Sequence, residues 1–293
     1  MEQMLAAIQK LMLNQELSSE EDIRKALGDM MAADAGELNK HTGPLTPKEQ
    51  AEQLVHSASG MGQVYGRELL EDALDLDPDC IFAYEMLGEF EESSVIANVF
   101  FEKGITLGRQ QFGGDFLKEH KGIFWMVHET RPFMRCLASS ADCLVALNRK
   151  EEALAIYREM LELNPNDNQG VREPLGLYLV EAGDFHGFRE LVSKYPEDMS
   201  VYMVYNEVLA AFKEHGPAEN ALALLAAAKE RNPHVIRKLK AKREPKEQPS
   251  MYAIGSPEEA IQYVMLAWQP WQDAPGAVDF LSQTPRATKK KKP

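Results

Sequence analysis

The sequence predicts an all-α protein: a right-handed solenoid of stacked helix pairs, closed by helical caps. Three observations lead there. Apolar residues recur at helical spacing along most of the 293 residues and never cluster with the two-residue alternation of a half-buried strand. Helical runs come in pairs joined by tight polar turns, with small residues where two helices must touch. The prolines that close such pairs also keep a period, since Pro165 and Pro233 lie 68 residues apart, twice about 34.

Taken in order, residues 1–45 hold two helical patterns, 2–13 and 19–33, read as an N-terminal cap or arm; Leu5, Ile8 and Met12 line one face of the first. Thr46-Pro47-Lys48-Glu49 then supplies an N-cap, a proline at the first helical position and a glutamate three residues after the cap. Helices over 47–57 and 64–76 follow and close at Asp77-Pro78, with Gly66, Leu70 and Ala73 on the inner positions, giving a first unit over about 47–80. The second unit, about 81–112, opens with Ile81, Tyr84, Leu87 and Gly88. Its second helix, 95–107, reads about one turn short and runs into a loop over 108–122, marked by Gly113-Gly114.

The clearest unit spans 134–167. Helices over 134–147 and 150–163 meet at Asn148-Arg149. Ala141 and Ala153 mark the close contact, and Leu137, Leu144, Tyr157 and Leu161 fill the space between. This is the pattern of a tetratricopeptide unit of about 34 residues. One such unit cannot bury its own apolar face, so neighbours are expected on both sides. They follow at 168–201, with Val171, Leu175 and Tyr178, Gly183 as the stop between helices and a second helix over 185–195 shortened by Pro196. The last, 202–235, has Tyr205, Leu209 and Phe212, then Ala221, Leu225, Ala228 and Pro233. The repeat array thus covers 46–235. Beyond it come a basic linker, 236–254, with Pro245 and Pro249 opposing a continuous helix, and closing helices within 255–283. One of these runs from Ser256-Pro257 to about Trp268 and the other over 273–281, with Trp268, Trp271 and Phe280 sealing the stack. Residues 284–293, ending in ATKKKKP, read as a disordered tail.

Composition narrows the function. No apolar run approaches the roughly 18 residues of a spanning helix, the longest being the eight of 221–228. The first residues carry no basic region of a signal peptide, and three cysteines make no disulfide framework. A cytoplasmic protein without a membrane partner is expected. Residues 1–228 carry 19 basic and 39 acidic side chains, whereas 229–293 carry 13 and 7. So acidic a body repels phosphates and argues against sequence-independent duplex binding.

Two further stretches are more specific than the repeat spacing: NPHV at 232–235, and GSPEEAIQYVMLAWQPWQDAPGAVDFL at 255–281. With ALDLDPDCIFAYEMLGEFE before them, they resemble the suppressor-of-tumorigenicity-seven family and its shorter soluble bacterial relatives, over about residues 60–281. The resemblance implies a helical-repeat protein with no established catalytic chemistry. Animal members of that family are similar to membrane proteins with hydrophobic segments near the N-terminus, which this chain lacks. Ile236 and Lys238 also stand where the family has a proline and an aromatic residue.

The expected function is therefore a non-catalytic adaptor that holds a peptide or protein segment in a concave groove lined by first helices. Counting positions puts Glu85, Glu89, Arg135, Asp142, Arg172, Glu173, Asn206 and Lys213 on that lining. Arg135 and Arg172 are the candidate grips for an acidic peptide, because guanidinium forks bind carboxylates bidentately. The alternative is that they pair with Asp142 and Glu173. Arg237, Lys238, Lys240, Lys242, Arg243 and Lys246 form a basic patch that suits RNA, the ribosome or an acidic tail, or else a solvated linker. No aromatic residue lies within it for base stacking.

A third reading, an enzyme or metal protein, centres on His128 with Trp125, Glu129, Thr130 and Arg131, a segment that reads better as a helix entry, with Thr130 as cap, Pro132 breaking the chain and Arg131 paired with a nearby acid. No second His or Cys lies at metal spacing, and no phosphate loop or nucleophile elbow is present. Cys136 and Cys143, seven apart, read as packing residues and Cys80 as a turn residue open to exposure but not activated. No catalytic residue, metal or cofactor is expected.

Overall fold

Helices, and no strand, make up the regular structure of the residues described in a computed structural model, 45–283. The helical patterns in 1–44 and the tail 284–293 lie outside the described residues. The chain divides into two compact units, Met1–Asn168 and Gln169–Pro293.

The first unit opens with α1, Pro47–Ala58. Thr46 caps it as its sequence foretells: the Thr46 side chain accepts from the Glu49 N–H at 3.3 Å, and Glu49 Oε2 accepts from the Thr46 N–H at 2.7 Å. It pairs with α2, Gln63–Leu76, through the fully buried Ala51, Val55, Ala58, Leu70 and Ala73. Next, α3 (Ile81–Glu89) packs on both of these helices and pairs with α4, Ser94–Gln111. Small residues set the approach of the helices here. A Cβ on Gly88 would meet the Phe101 ring, and one on Gly108 the Phe133 ring at 2.1 Å.

α4 runs four residues past the predicted end at 107, and the expected loop is only partly a loop. It holds the short α5, Gly114–His120, and two 3-10 turns, Phe124–Met126 and His128–Thr130. Phe112, Phe116, Phe124 and Phe133 pack ring against ring with centroids 5.1–6.4 Å apart and pin the segment down.

α6, Arg131–Ala146, starts three residues earlier than predicted because Pro132 fits the first turn of a helix, where no N–H is needed. It packs on α3 and α4 and pairs with α7, Lys150–Leu163, across a turn in which Asn148 adopts φ 60°. Leu137, Ala141, Leu144, Ala153 and Tyr157 are buried between the helices. Leu161 is only half-buried, and its neighbour Met160 fills the core position instead.

In the second unit, α8 (Arg172–Ala182) ends at Gly183, whose φ of 79° costs a glycine nothing, and α9 (Phe185–Lys194) begins on the side chain of Asp184. α10, Val201–His215, packs on both and pairs with α11, Glu219–Arg231, through buried Tyr205, Leu209, Ala221, Leu225 and Ala228. The start of the expected linker is helical: α12, His234–Leu239, contains Arg237 and Lys238. Val235 and Leu239, four apart and fully buried, form its inner face against α13.

α13, Pro257–Asp273, is capped by Ser256 and continues through Pro270, past the predicted end at Trp268. Fully buried Trp271 holds this extension, its indole N–H donating to the Tyr263 hydroxyl at 2.8 Å. Pro275-Gly276 then cuts the last helix, α14, to Ala277–Phe280; Gly276 has φ 80°. Of the three predicted sealing residues Trp271 and Phe280 are buried, and Trp268 is half-buried.

Candidate functional site

In the first unit, α3 and α6 bring together four of the residues assigned to a groove lining. Glu85 is buried and receives Arg135 bidentately, Nε to Oε1 at 2.5 Å and Nη2 to Oε2 at 2.8 Å. The same guanidinium lies 5.4 Å from the centroid of the Phe82 ring. The carboxylate that Arg135 holds is thus the chain's own, and it comes from a different residue than the Asp142 weighed from the sequence.

One turn along, exposed Glu89 accepts from Ser139 Oγ at 3.1 Å, and exposed Asp142 from the Tyr157 hydroxyl at 2.8 Å. Neither pairs with a cation among the described residues. Desolvation, with the nearby Glu89 charge, raises the Asp142 pKa against the lowering effect of the Tyr157 hydrogen bond. This face is acidic, not basic.

In the second unit Arg172 donates from Nε to Asp198 Oδ2 at 2.6 Å and lies 5.1 Å from the Tyr195 ring centroid. Desolvation works to raise Asp198, but Arg172 and Ser200 outweigh it and hold its pKa below the ordinary carboxylate value. Glu173, next to Arg172 at the start of α8, is half-buried. Lys213 Nζ donates to the carbonyls of Val180 and Glu181, both at 2.8 Å, and so serves the C-terminus of α8. Asn206, assigned to the lining, is fully buried; its carbonyl accepts from the Tyr263 hydroxyl at 3.2 Å.

Two of the stretches distinctive in the sequence, 232–235 and 255–281, meet in this unit. Asn232 and Glu259 are both buried. The Asn232 amide donates to Glu259 Oε2 at 2.8 Å and to the Ser256 carbonyl at 3.0 Å, while its backbone carbonyl accepts from Tyr205 at 2.7 Å. Arg231 forks onto both oxygens of Glu259, at 2.8 and 3.1 Å, and the Gly255 N–H adds a bond at 2.7 Å. Burial alone raises a carboxyl pKa, but these donors leave Glu259 lowered. The sequence shows which residues are distinctive here, but Arg231, outside both motifs, gave no signal.

The basic patch sits on α12 and the strap that follows it. Arg237, Lys242, Arg243 and Lys246 are exposed and Lys238 is half-exposed, and none forms an ion pair with a described carboxylate. Exposed Lys240 donates to Ser282 Oγ at 2.5 Å.

Around His128, the Thr130 hydroxyl donates to the carbonyls of Phe124 and Val127, and Arg131 Nε to the Trp125 carbonyl at 3.1 Å, so both stabilise the turns leading into α6. Thr130 does not cap α6 with its side chain. Among the described residues no three His, Cys, Asp or Glu side chains converge as metal ligands. The thiols of Cys80 and Cys136 are buried, and burial pushes Cys80 up to about 11. No helix among the described residues is long and apolar enough to cross a membrane. Compared with known protein families, curated proteins and solved structures, the chain matches none.

Proposed function

We propose that the chain is a non-catalytic scaffold of tetratricopeptide type, resembling the suppressor-of-tumorigenicity-seven family, that holds a protein segment against its first helices. Support comes from the way the helices pack. In the first unit α3 lies on both helices of the preceding pair and α6 on both of the next, and in the second unit α10 lies on α8 and α9. Stacking of this kind leaves first helices side by side and fixes their polar residues before any partner arrives, so the ordering cost falls on the partner. Free thiols at Cys80, Cys136 and Cys143 accord with residence in the cytoplasm.

The observation that carries the reading is the occupation of Arg135 by Glu85. With that fork filled, Glu89 and Asp142 are the charges left outward on the α3–α6 face, and they suit a segment bearing Lys or Arg, opposite in sign to the acidic peptide expected from the sequence. Fluorescence polarisation with labelled basic and acidic peptides tests this. Basic peptides should bind with a salt-sensitive affinity, and Glu89→Gln with Asp142→Asn should weaken them about tenfold, the effect of about 1.4 kcal/mol. Preference for acidic peptides, or indifference to the double substitution, would refute the assignment.

A further inference from the structure

We propose that the strap over residues 240–254, with Arg237 and Lys238 of α12, is a docking surface for an anionic lipid bilayer. The proposal is independent of the peptide reading.

The first observation is unspent positive charge. Elsewhere in the described second unit every arginine is paired: Arg172 with Asp198, Arg189 with Glu214 and Arg231 with Glu259. Arg237 and Arg243 break that rule, and Lys238, Lys242 and Lys246 beside them also form no ion pair with a described carboxylate, although Glu244 and Glu247 share the strap. Five such cations within ten residues are an electrostatic signature of surface binding to acidic headgroups.

The second observation is apolar. Five residues after the last of these cations, Met251 is 83% exposed, with Ile254 81% and Tyr252 51%, and Ala253 between them is exposed too. These side chains do not hang on a loose end. Gln262 of α13 donates to the Pro249 carbonyl at 2.8 Å and accepts from Gln248, the Ser256 N–H closes a turn on Ala253 at 3.0 Å, and Gly255 is tied to Glu259. The fold therefore holds exposed apolar side chains on the same strap as the unpaired cations.

Lipid fits this pair of features better than the alternatives. A bilayer needs no concavity, attracts the cations and accepts the Met251 and Ile254 side chains below its headgroups, with Tyr252 suited to the interface. RNA would satisfy the cations but leave both aliphatic side chains without a role, and Tyr252 is the single aromatic residue available for stacking. Lying on a membrane in this way requires no spanning helix.

The test is flotation of the full chain with vesicles of phosphatidylcholine alone, or with one third phosphatidylserine, at about 0.1 and about 0.5 M salt. Binding is expected only with phosphatidylserine and should fall steeply in the higher salt. Lys242→Glu with Arg243→Glu should lower the bound fraction at least about tenfold, and so should Met251→Asp with Ile254→Asp, with circular dichroism unchanged. Replacing Lys289 to Lys292 by alanine should leave binding in place. The proposal fails if phosphatidylserine vesicles do not bind, if either strap variant binds normally, if the alanine tail alone abolishes binding, or if a single-stranded RNA oligonucleotide binds through the strap while vesicles do not.

Discussion

Glu259 shows how much one side chain organises. Its carboxylate takes both arms of Arg231, the amide of Asn232 and the backbone of Gly255. Replacing it with alanine leaves a largely buried guanidinium uncompensated, which costs about 3–5 kcal/mol. The same donors set the acid response. A carboxyl held below its unfolded value of about 4.3 contributes stability that is intact above that pH and lost as pH falls through the lower folded value. Thermal melts should therefore be flat in this contribution from neutral pH down to about 5 and decline below about 4, with that part of the decline missing in Glu259→Ala. Equal melting of wild type and variant at neutral pH would show the ion pair to be idle. Distinctive residues at this point were readable, since Asn232 and Glu259 fall within the two unusual stretches. Their partner was not, because the separation of 28 residues from Arg231 to Glu259 obeys no local period.

At the scale of elements, the contact of α4 with α6 depends on two glycines that helix propensity disfavours. Gly104 faces the Cys136 sulfur and Gly108 the Phe133 ring. Gly108→Ala gains helix propensity of about 1 kcal/mol but must displace a buried aromatic ring, so a net loss of about 1–2 kcal/mol is expected in chemical denaturation. Gly60→Ala, whose new methyl group would meet nothing closer than 3.8 Å, should stay within about 0.5 kcal/mol of wild type. A stabilised Gly108→Ala would mean that the helices are not held at this distance.

Caps and turns were the legible part of these elements. Thr46 with Glu49, Gly183, and Ser256 with Pro257 act locally and do what their spacing says. The stretch 108–122 misled because its order comes from Phe112, Phe116, Phe124 and Phe133, which pack together without forming a helical stripe. Asn206 misled for a related reason: counting put it on a lining, but Tyr263, 57 residues on, draws it inside.

Over the whole molecule the charge is divided unevenly. Residues 1–168 hold 15 basic and 30 acidic side chains, residues 169–293 hold 17 and 16. A net of −15 on the first unit is self-repulsive, and added salt screens it. Raising sodium chloride from about 0.05 to about 0.5 M should therefore raise the melting temperature, by a few degrees for about 1 kcal/mol of relieved repulsion. Calorimetry decides this; a melting temperature that falls with salt would mean that ion pairs such as Arg135–Glu85 outweigh the repulsion. With a melting temperature that rises, salt acts in opposite directions on the two properties, firming the acidic unit while releasing anything held by the strap.

The knot of Arg231, Asn232, Gly255 and Glu259 has a consequence for how the chain can vary. It fastens the residues just before α12 to those at the start of α13, so α12 and the strap that follows it form a loop already closed by other bonds. Lengthening a closed loop is cheap, about 0.6 kcal/mol for each doubling. Foreign peptides or tags spliced in near Pro245 should leave both flanking helices seated, which makes this the place where the protein can acquire new sequence without refolding around it.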